Sequence, residues 1–248
     1  MELATAAVLA GAGMLAGAVN AMAGGGTFFT FPVLIWAGLP PMVANITNMV
    51  ALLPANLAAL PAFRAELAAL GRRSLLPLVI SVVGGTFGAL LLLWLGAAAF
   101  AAAVPYLIAF ATLLFAAAPR LRRHVQGLTA GQAVPAAVLL LFSVYGGYFG
   151  AGLGQITLAA LILAGFGSLH EANALKNAMV FAVSLMAVMI FGLSGQVAWG
   201  HALVMMLSSA AGGYLGGVLS LLLSPSLLRG GIIAFGSFLS LYYLTAGA

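Results

Sequence analysis

Lys176 is the residue in this chain whose type and setting point most directly to chemistry. It stands in "ANALKNAMVFAVSLM", a few positions into a long apolar run. An ammonium is costly there unless it faces a watery path or an anionic partner. Asn173 and Asn177 flank it, and an earlier cluster in "ANITN", Asn45, Thr47 and Asn48, supplies neutral hydrogen-bonding groups in a matching position. Each cluster follows a short apolar stretch that opens on glycines. The first opening, "AGGGTFF", holds Gly24, Gly25, Gly26 and Thr27; the second, "GAGLGQ", holds Gly152, Gly154 and Gln155. A helix begun at such a turn exposes unpaired N–H groups and about half a positive charge at its N-terminus. Glycine lets a ligand come close to them. Together these groups suit a small anion held by backbone N–H groups, side-chain amides and one ammonium.

Blander readings stand beside this one. Glycines in apolar segments also let helices pack closely. A lysine can snorkel to headgroups or pair with an acid, here Glu171. Lys176 lies five positions after Glu171, a poor spacing for an intrahelical pair. Asn20 and Asn56 could line the same route, although a lone asparagine more often bonds between helices. His170 and Glu171 sit at a turn, as a solvated pair or as carriers of a coupled proton. His201 follows Trp199 and reads as interfacial. The chain has no cysteine, no metal-ligand spacing, no Walker motif and no nucleophile–base arrangement. No catalytic residue, metal or cofactor is therefore expected, and neither is enzymatic activity or ATP-driven pumping by this chain alone.

The elements that must position these groups follow from composition. Of 248 residues, 65% are hydrophobic and 4% charged, against about 25% charged in a soluble domain. The mean hydropathy is +1.23. Apolar runs near 20 residues recur, so the expected class is an all-α integral membrane protein with the lipid bilayer as solvent. The alternation of an outer-membrane barrel strand is absent. The net charge of +5 comes mainly from two short basic loops, which read as topology determinants and not as a nucleic-acid surface. The N-terminal run opens on Glu2 where a signal peptide would be basic, so it is expected to remain as a helix.

Ten segments are expected, at 3–22, 27–37, 41–62, 74–95 and 98–118, then at 132–149, 154–166, 170–192, 199–223 and 226–246. The second member of each set rises less than about 20 Å, too little for a hydrocarbon core of about 30 Å. These two are expected to be re-entrant or half-spanning helices. The sets form a repeat: a first membrane repeat at 1–119, a basic cytoplasmic linker at 120–131 and a second repeat at 132–248. "MVANITNMV" in the first answers "HEANALKNAMV" in the second. The loop "FRAELAALGRRS" carries Arg64, Arg72 and Arg73, whereas its counterpart "GLSGQVAWGH" carries no Lys or Arg. Basic loops face the cytoplasm, so the second repeat is expected to be inverted relative to the first. A parallel repeat of four spans with one re-entrant helix is the alternative.

The stretches "AGGGTFFTFPVLIWAGLPPMVANITNMVALLPANLAALPAFRAEL" and "GGYFGAGLGQITLAALILAGFGSLHEANALKNAMV", with "FGLSGQVAWGHAL" and "LLRGGIIAFGSFLSLYYL" after them, resemble the TauE/SafE sulfite-exporter family over nearly the whole chain. The resemblance implies a multi-pass permease of the bacterial inner membrane for a small sulfur-containing anion, such as sulfite or an organosulfonate. It implies a secondary carrier driven by an ion gradient, with a proton or cation moving alongside. It carries the glycine-rich stretches at 24–26 and 150–154, the "ANITN" stretch at 45–48 and the "ANALKN" stretch at 173–177 over as translocation-site residues, and assembly with further copies of the chain stays open. A carrier or channel for another anion and a non-transporting membrane subunit are the rival readings.

Overall fold

The computed structural model describes residues 2–22, 25–125, 133–166, 169–219 and 225–246. Among them every regular element is helical. They are α1 (Leu3–Met22), α2 (Thr27–Trp36), α3 (Pro41–Ala59), α4 (Arg64–Leu70), α5 (Leu75–Val125), α6 (Ala133–Tyr148), α7 (Leu153–Leu163), α8 (Leu169–Leu193), α9 (Trp199–Leu219) and α10 (Pro225–Ala246). Three stretches of the described residues are long and apolar enough to cross a membrane: Leu3–Asn20, Arg64–Leu121 and His170–Leu193. The second of these runs through a break in α5. Glycine and proline punctuate the short helices as anticipated: Pro41 opens α3, and Gly26 and Gly152 stand before α2 and α7.

Two stretches differ from expectation. The supposed loop after α3 is wound into a 3₁₀ turn (Leu60–Phe63), α4, and a second 3₁₀ turn (Gly71–Ser74). "RAELAAL" is composed of strong helix formers, and Gly71 ends it at φ 48. Segments 74–95 and 98–118 are two arms of α5, separated at Gly96, whose φ of 77 and ψ of −179 suit only glycine. The second arm continues to Val125, so Arg120 and Arg123 ride on its last turns.

The core is largely apolar with polar groups set within it, and many large apolar side chains face outward. Asn45, Thr47 and Asn48 are completely buried, whereas Trp94 is 80% and Leu207 76% exposed. The buried amides and hydroxyls find partners inside the bundle, and large apolar side chains exposed in such number suit surroundings as apolar as themselves. This distribution fits a membrane setting.

The packing crosses between the halves. α1 lies against α9 and α6 against α5, while α3 packs on α9 as α8 packs on α5; α3 and α8 also meet each other. Both hairpin seams are made by small residues. A Cβ placed on Gly17 of α1 would lie 2.1 Å from the Ser209 carbonyl oxygen, and one on Gly88 of α5 would lie 2.0 Å from that of Val144. Close backbone approach of this kind is how helices associate where no hydrophobic effect drives them together.

Two crevices mark the ends of the bundle. Trp36 at the end of α2, Pro41 at the start of α3, Val104 of α5 and Tyr242 of α10 share one. Arg72 and Arg73, Pro135 of α6 and Phe166 just past α7 share the other. Helix α2 finishes beside the first crevice and α7 beside the second. Gly88→Val should push α5 and α6 apart at a cost of at least about 2 kcal/mol, visible as a lower unfolding midpoint in detergent. Gly11→Ala, on α1 but with open space around it, should leave that midpoint unchanged or raise it.

Candidate functional site

Two helix starts converge inside the bundle. Gly26 caps α2 with helical backbone angles, and Gly152 caps α7 in the left-handed region at φ 77. Gly150 is also left-handed, at φ 81, so the α6–α7 turn needs glycine at both positions. No side chain caps either helix; the N–H groups of Phe28, Phe29, Leu153 and Gln155 turn to the carbonyls of Gly25, Gly26, Gly150 and Gly152, so the first turns offer chiefly the positive end of each helix dipole to what lies in front of them. What lies there is a cavity of about 50 Å³, room for roughly three or four waters. Gly25 and Thr27 line it from the α2 side, and Gly150, Gly152, Leu153 and Gly154 from the α7 side. The remaining wall comes from Asn20 of α1, Ala55 and Asn56 of α3, and Lys176, Asn177 and Val180 of α8. An adjoining cavity of similar size extends past Thr27, Asn56 and Gly150 to Asn48 and Ser184.

Lys176 reaches the site along α7. A Cβ on Gly154 would lie 3.6 Å from Lys176 Cδ and 4.0 Å from Cε, an ordinary packing distance, so the lysine stem runs beside the first turn of α7. Lys176 and the first turn of α7 thus border the same cavity.

The neutral groups form two linked sets. The Gly25 N–H donates to Asn20 Oδ1 at 3.2 Å, Asn20 Nδ2 donates to Asn56 Oδ1 at 2.6 Å, and Asn56 Nδ2 donates to Ser184 Oγ at 3.1 Å. In this chain each amide accepts at one end and donates at the other, so the dipoles reinforce one another. In the second set Thr30 Oγ1 donates to Asn48 Oδ1, and Asn48 Nδ2 donates to Thr27 Oγ1 at 3.3 Å. Thr27 and Ser184 hydroxyls are acceptors in these bonds, which directs their own O–H protons elsewhere. Both residues line a cavity.

Toward the end where α2 finishes, the site is closed by rings. Phe31 meets Phe149 edge-on at 5.6 Å and Phe100 at 6.5 Å, and Phe28 meets Phe115 at 5.6 Å. The polar walls formed by Asn56 and Lys176 lie on the other side, along the turns of α3 and α8 nearer the arginine-rich end.

Of the residues singled out from the sequence, Gly25, Thr27, Asn48, Gly152, Gly154, Lys176 and Asn177 border these cavities. Gly24 lies outside the described residues. Gly26 is pressed against α1, where a Cβ would sit 2.6 Å from the Ala16 carbonyl oxygen. Asn45 and Thr47 point elsewhere: Asn45 Nδ2 donates to the Tyr148 carbonyl at 3.0 Å, and Thr47 Oγ1 accepts the Ala198 N–H at 3.1 Å. Gln155 and Asn173 are half-buried and border neither cavity among the described residues. Asn45 Oδ1 is buried without a hydrogen-bond partner among the described residues. Its amide cannot be turned to help it, since the Tyr148 carbonyl demands the N–H end. Ser184 was not foreseen. Its signal is helical spacing, because 176, 180 and 184 fall on one face of α8.

The family model described as sulfite exporter TauE/SafE matches residues 9–243. A "Probable membrane transporter protein" of Haemophilus influenzae is 31% identical over 229 residues, covering 90% of this chain and 88% of that protein. The Escherichia coli K12 protein named "Probable membrane transporter protein YfcA" is 29% identical over 234 residues, covering 92% and 85%. A Sinorhizobium protein named "Probable membrane transporter protein ORF9" is 29% identical over 208 residues, covering 83% and 79%. No solved structure matches. A match that runs through both hairpins, both glycine-rich turns and α10 leaves one conclusion: the chain belongs to the TauE/SafE sulfite exporter family.

Proposed function

We propose that the protein is a secondary transporter, a permease of the bacterial inner membrane, that moves a small sulfur-containing anion such as sulfite or an organosulfonate. One observation carries this reading: the uncapped N-termini of α2 and α7, one from each half, line a single cavity together with Lys176. Backbone N–H groups, amides and an ammonium are the groups that hold a small oxyanion in water-poor surroundings. The family description supports sulfite as the substrate class, and the names of the relatives support membrane transport. A carrier needs no nucleophile or metal, in keeping with the chemistry of the site residues.

The two halves act in this reading as inverted repeats. The α1–α2 and α6–α7 hairpins enter from opposite faces and meet near the midplane, the plan on which many secondary transporters are built. The aromatic closure formed by Phe31, Phe100 and Phe149 shuts one face, while the cavity is offset toward the arginine-rich, cytoplasmic one. Exchange of open faces then carries the anion across, driven by a proton or ion gradient. The Asn45 acceptor, which has no donor among the described residues, supports such an exchange, since a buried acceptor without a donor costs about 1–3 kcal/mol, and an arrangement that pairs it would recover that cost.

Lys176→Met should reduce sulfite transport in proteoliposomes about 10- to 100-fold, the loss expected for one charge-assisted contact, with folded yield near that of the parent. Equal transport at matched protein would remove Lys176 from the site. Countertransport separates a carrier from a pore. Vesicles preloaded with unlabelled sulfite should take up labelled sulfite several-fold faster than empty ones, and equal rates would mark a channel.

A further inference from the structure

At the arginine-rich end a second concavity lies apart from the anion cavity. It is a crevice of about 280 Å³ between the start of α5, the start of α6 and the end of α7. Arg72 and Arg73 stand at its mouth and are exposed. Its walls run down to Ile80 on α5 and Leu139 on α6, about 10 Å along the helix from the arginines. Arg73 is drawn to one wall, with its guanidinium 5.2 Å from the centre of the Phe166 ring, a cation–π arrangement.

The charge at this end is one-sided. Arg64, Arg72, Arg73, Arg120 and Arg123 belong to it, and with Glu2 at the start of α1 the chain holds only Glu66 and Glu171 to answer them. The walls below the guanidiniums are proline, leucine, isoleucine, alanine and phenylalanine, with no side-chain hydrogen-bond donor. A soluble anion would satisfy the arginines and leave those walls bare. A neutral lipid tail would fill the walls and leave the arginines unanswered. A molecule with a phosphate attached to an acyl chain meets both demands, and basic pockets between helices on the cytoplasmic side are where such headgroups bind.

We propose that this crevice is a binding site for one anionic phospholipid, its phosphate on Arg72 and Arg73 and an acyl chain between α5, α6 and α7. Phosphate binds guanidinium as a bidentate pair. The lipid would bridge the basic turn before α5 to the C-terminal end of α7, and so stabilise the hairpin whose other end carries Gly150 and Gly152. The site stands whether or not the chain transports sulfite.

The test uses the full chain, delipidated in detergent and titrated with phosphatidylglycerol, phosphatidylcholine or inorganic phosphate. Bound lipid is counted by native mass spectrometry, and the unfolding midpoint is followed in parallel. Phosphatidylglycerol is expected to remain bound and to raise the midpoint, while phosphatidylcholine and inorganic phosphate do neither. Arg72→Gln with Arg73→Gln, at exposed positions, should weaken retention at least tenfold. Ala136→Trp, which fills the crevice without altering charge, should do the same, and Arg120→Gln with Arg123→Gln should retain the lipid. Undiminished retention by the Arg72/Arg73 double variant would overturn the proposal. So would equal retention of phosphatidylcholine, or inorganic phosphate reproducing the midpoint shift.

Discussion

A helix that begins inside a membrane carries a debt of unpaired N–H groups, and hydrocarbon cannot discharge it. The rest of this structure is arranged around that constraint. Two helices begin at Gly26 and Gly152 in the interior of the bundle, and both first turns border a cavity walled by amides, hydroxyls and a lysine. Protein must surround them on the other sides. That accounts for the crossing of the halves, in which α9 holds α1 and α5 holds α6. The glycine seams serve the same end, letting α1 approach α9 and α6 approach α5 at backbone distance.

The same constraint sorts the polar residues by role. Those that touch the cavity are donors or can become donors: Lys176, Asn177, the Thr27 hydroxyl, and the Asn20–Asn56–Ser184 series that starts from the Gly25 N–H. Those that hold the cage are directed at backbone: Asn45 to Tyr148, Thr47 to Ala198, Ser209 to Ala51. The division is electrostatic. A site made of helix N-termini and an ammonium repels cations and attracts anions, while the bonds that join helices are neutral and contribute about 1 kcal/mol or less each in a membrane.

Most helix boundaries were legible in the sequence because they depend on local signals. Apolar length, Gly-Gly-Gly and Pro-Pro punctuation, and the repeat of "ANITN" by "ANALKN" are read within a few residues. The helical character of 64–70 was masked by its charge, although Ala, Leu and Glu there favour a helix. Which halves touch was not legible, since the pairing of Gly17 with Ser209 joins residues far apart in the chain. Within the site the limit was angular. Asn45, Thr47 and Asn48 share one short stretch, but successive residues turn by 100° around a helix. Asn48 meets the cavity while Asn45 faces the α6 terminus and Thr47 faces α9. Ser184 lay in plain view at helical spacing from Lys176, yet a serine in an apolar run gives no chemical signal by itself.

The most direct measurement is the position of a bound anion. Selenite is a heavier congener of sulfite with the same shape and charge, and its selenium can be located by anomalous diffraction from crystals soaked in it. The account predicts a selenium peak between the backbone of Gly25–Thr27 and that of Gly152–Gly154, within contact of the Lys176 ammonium. A peak confined to the exposed arginines, with the space between the two helix starts empty at saturating selenite, would contradict it.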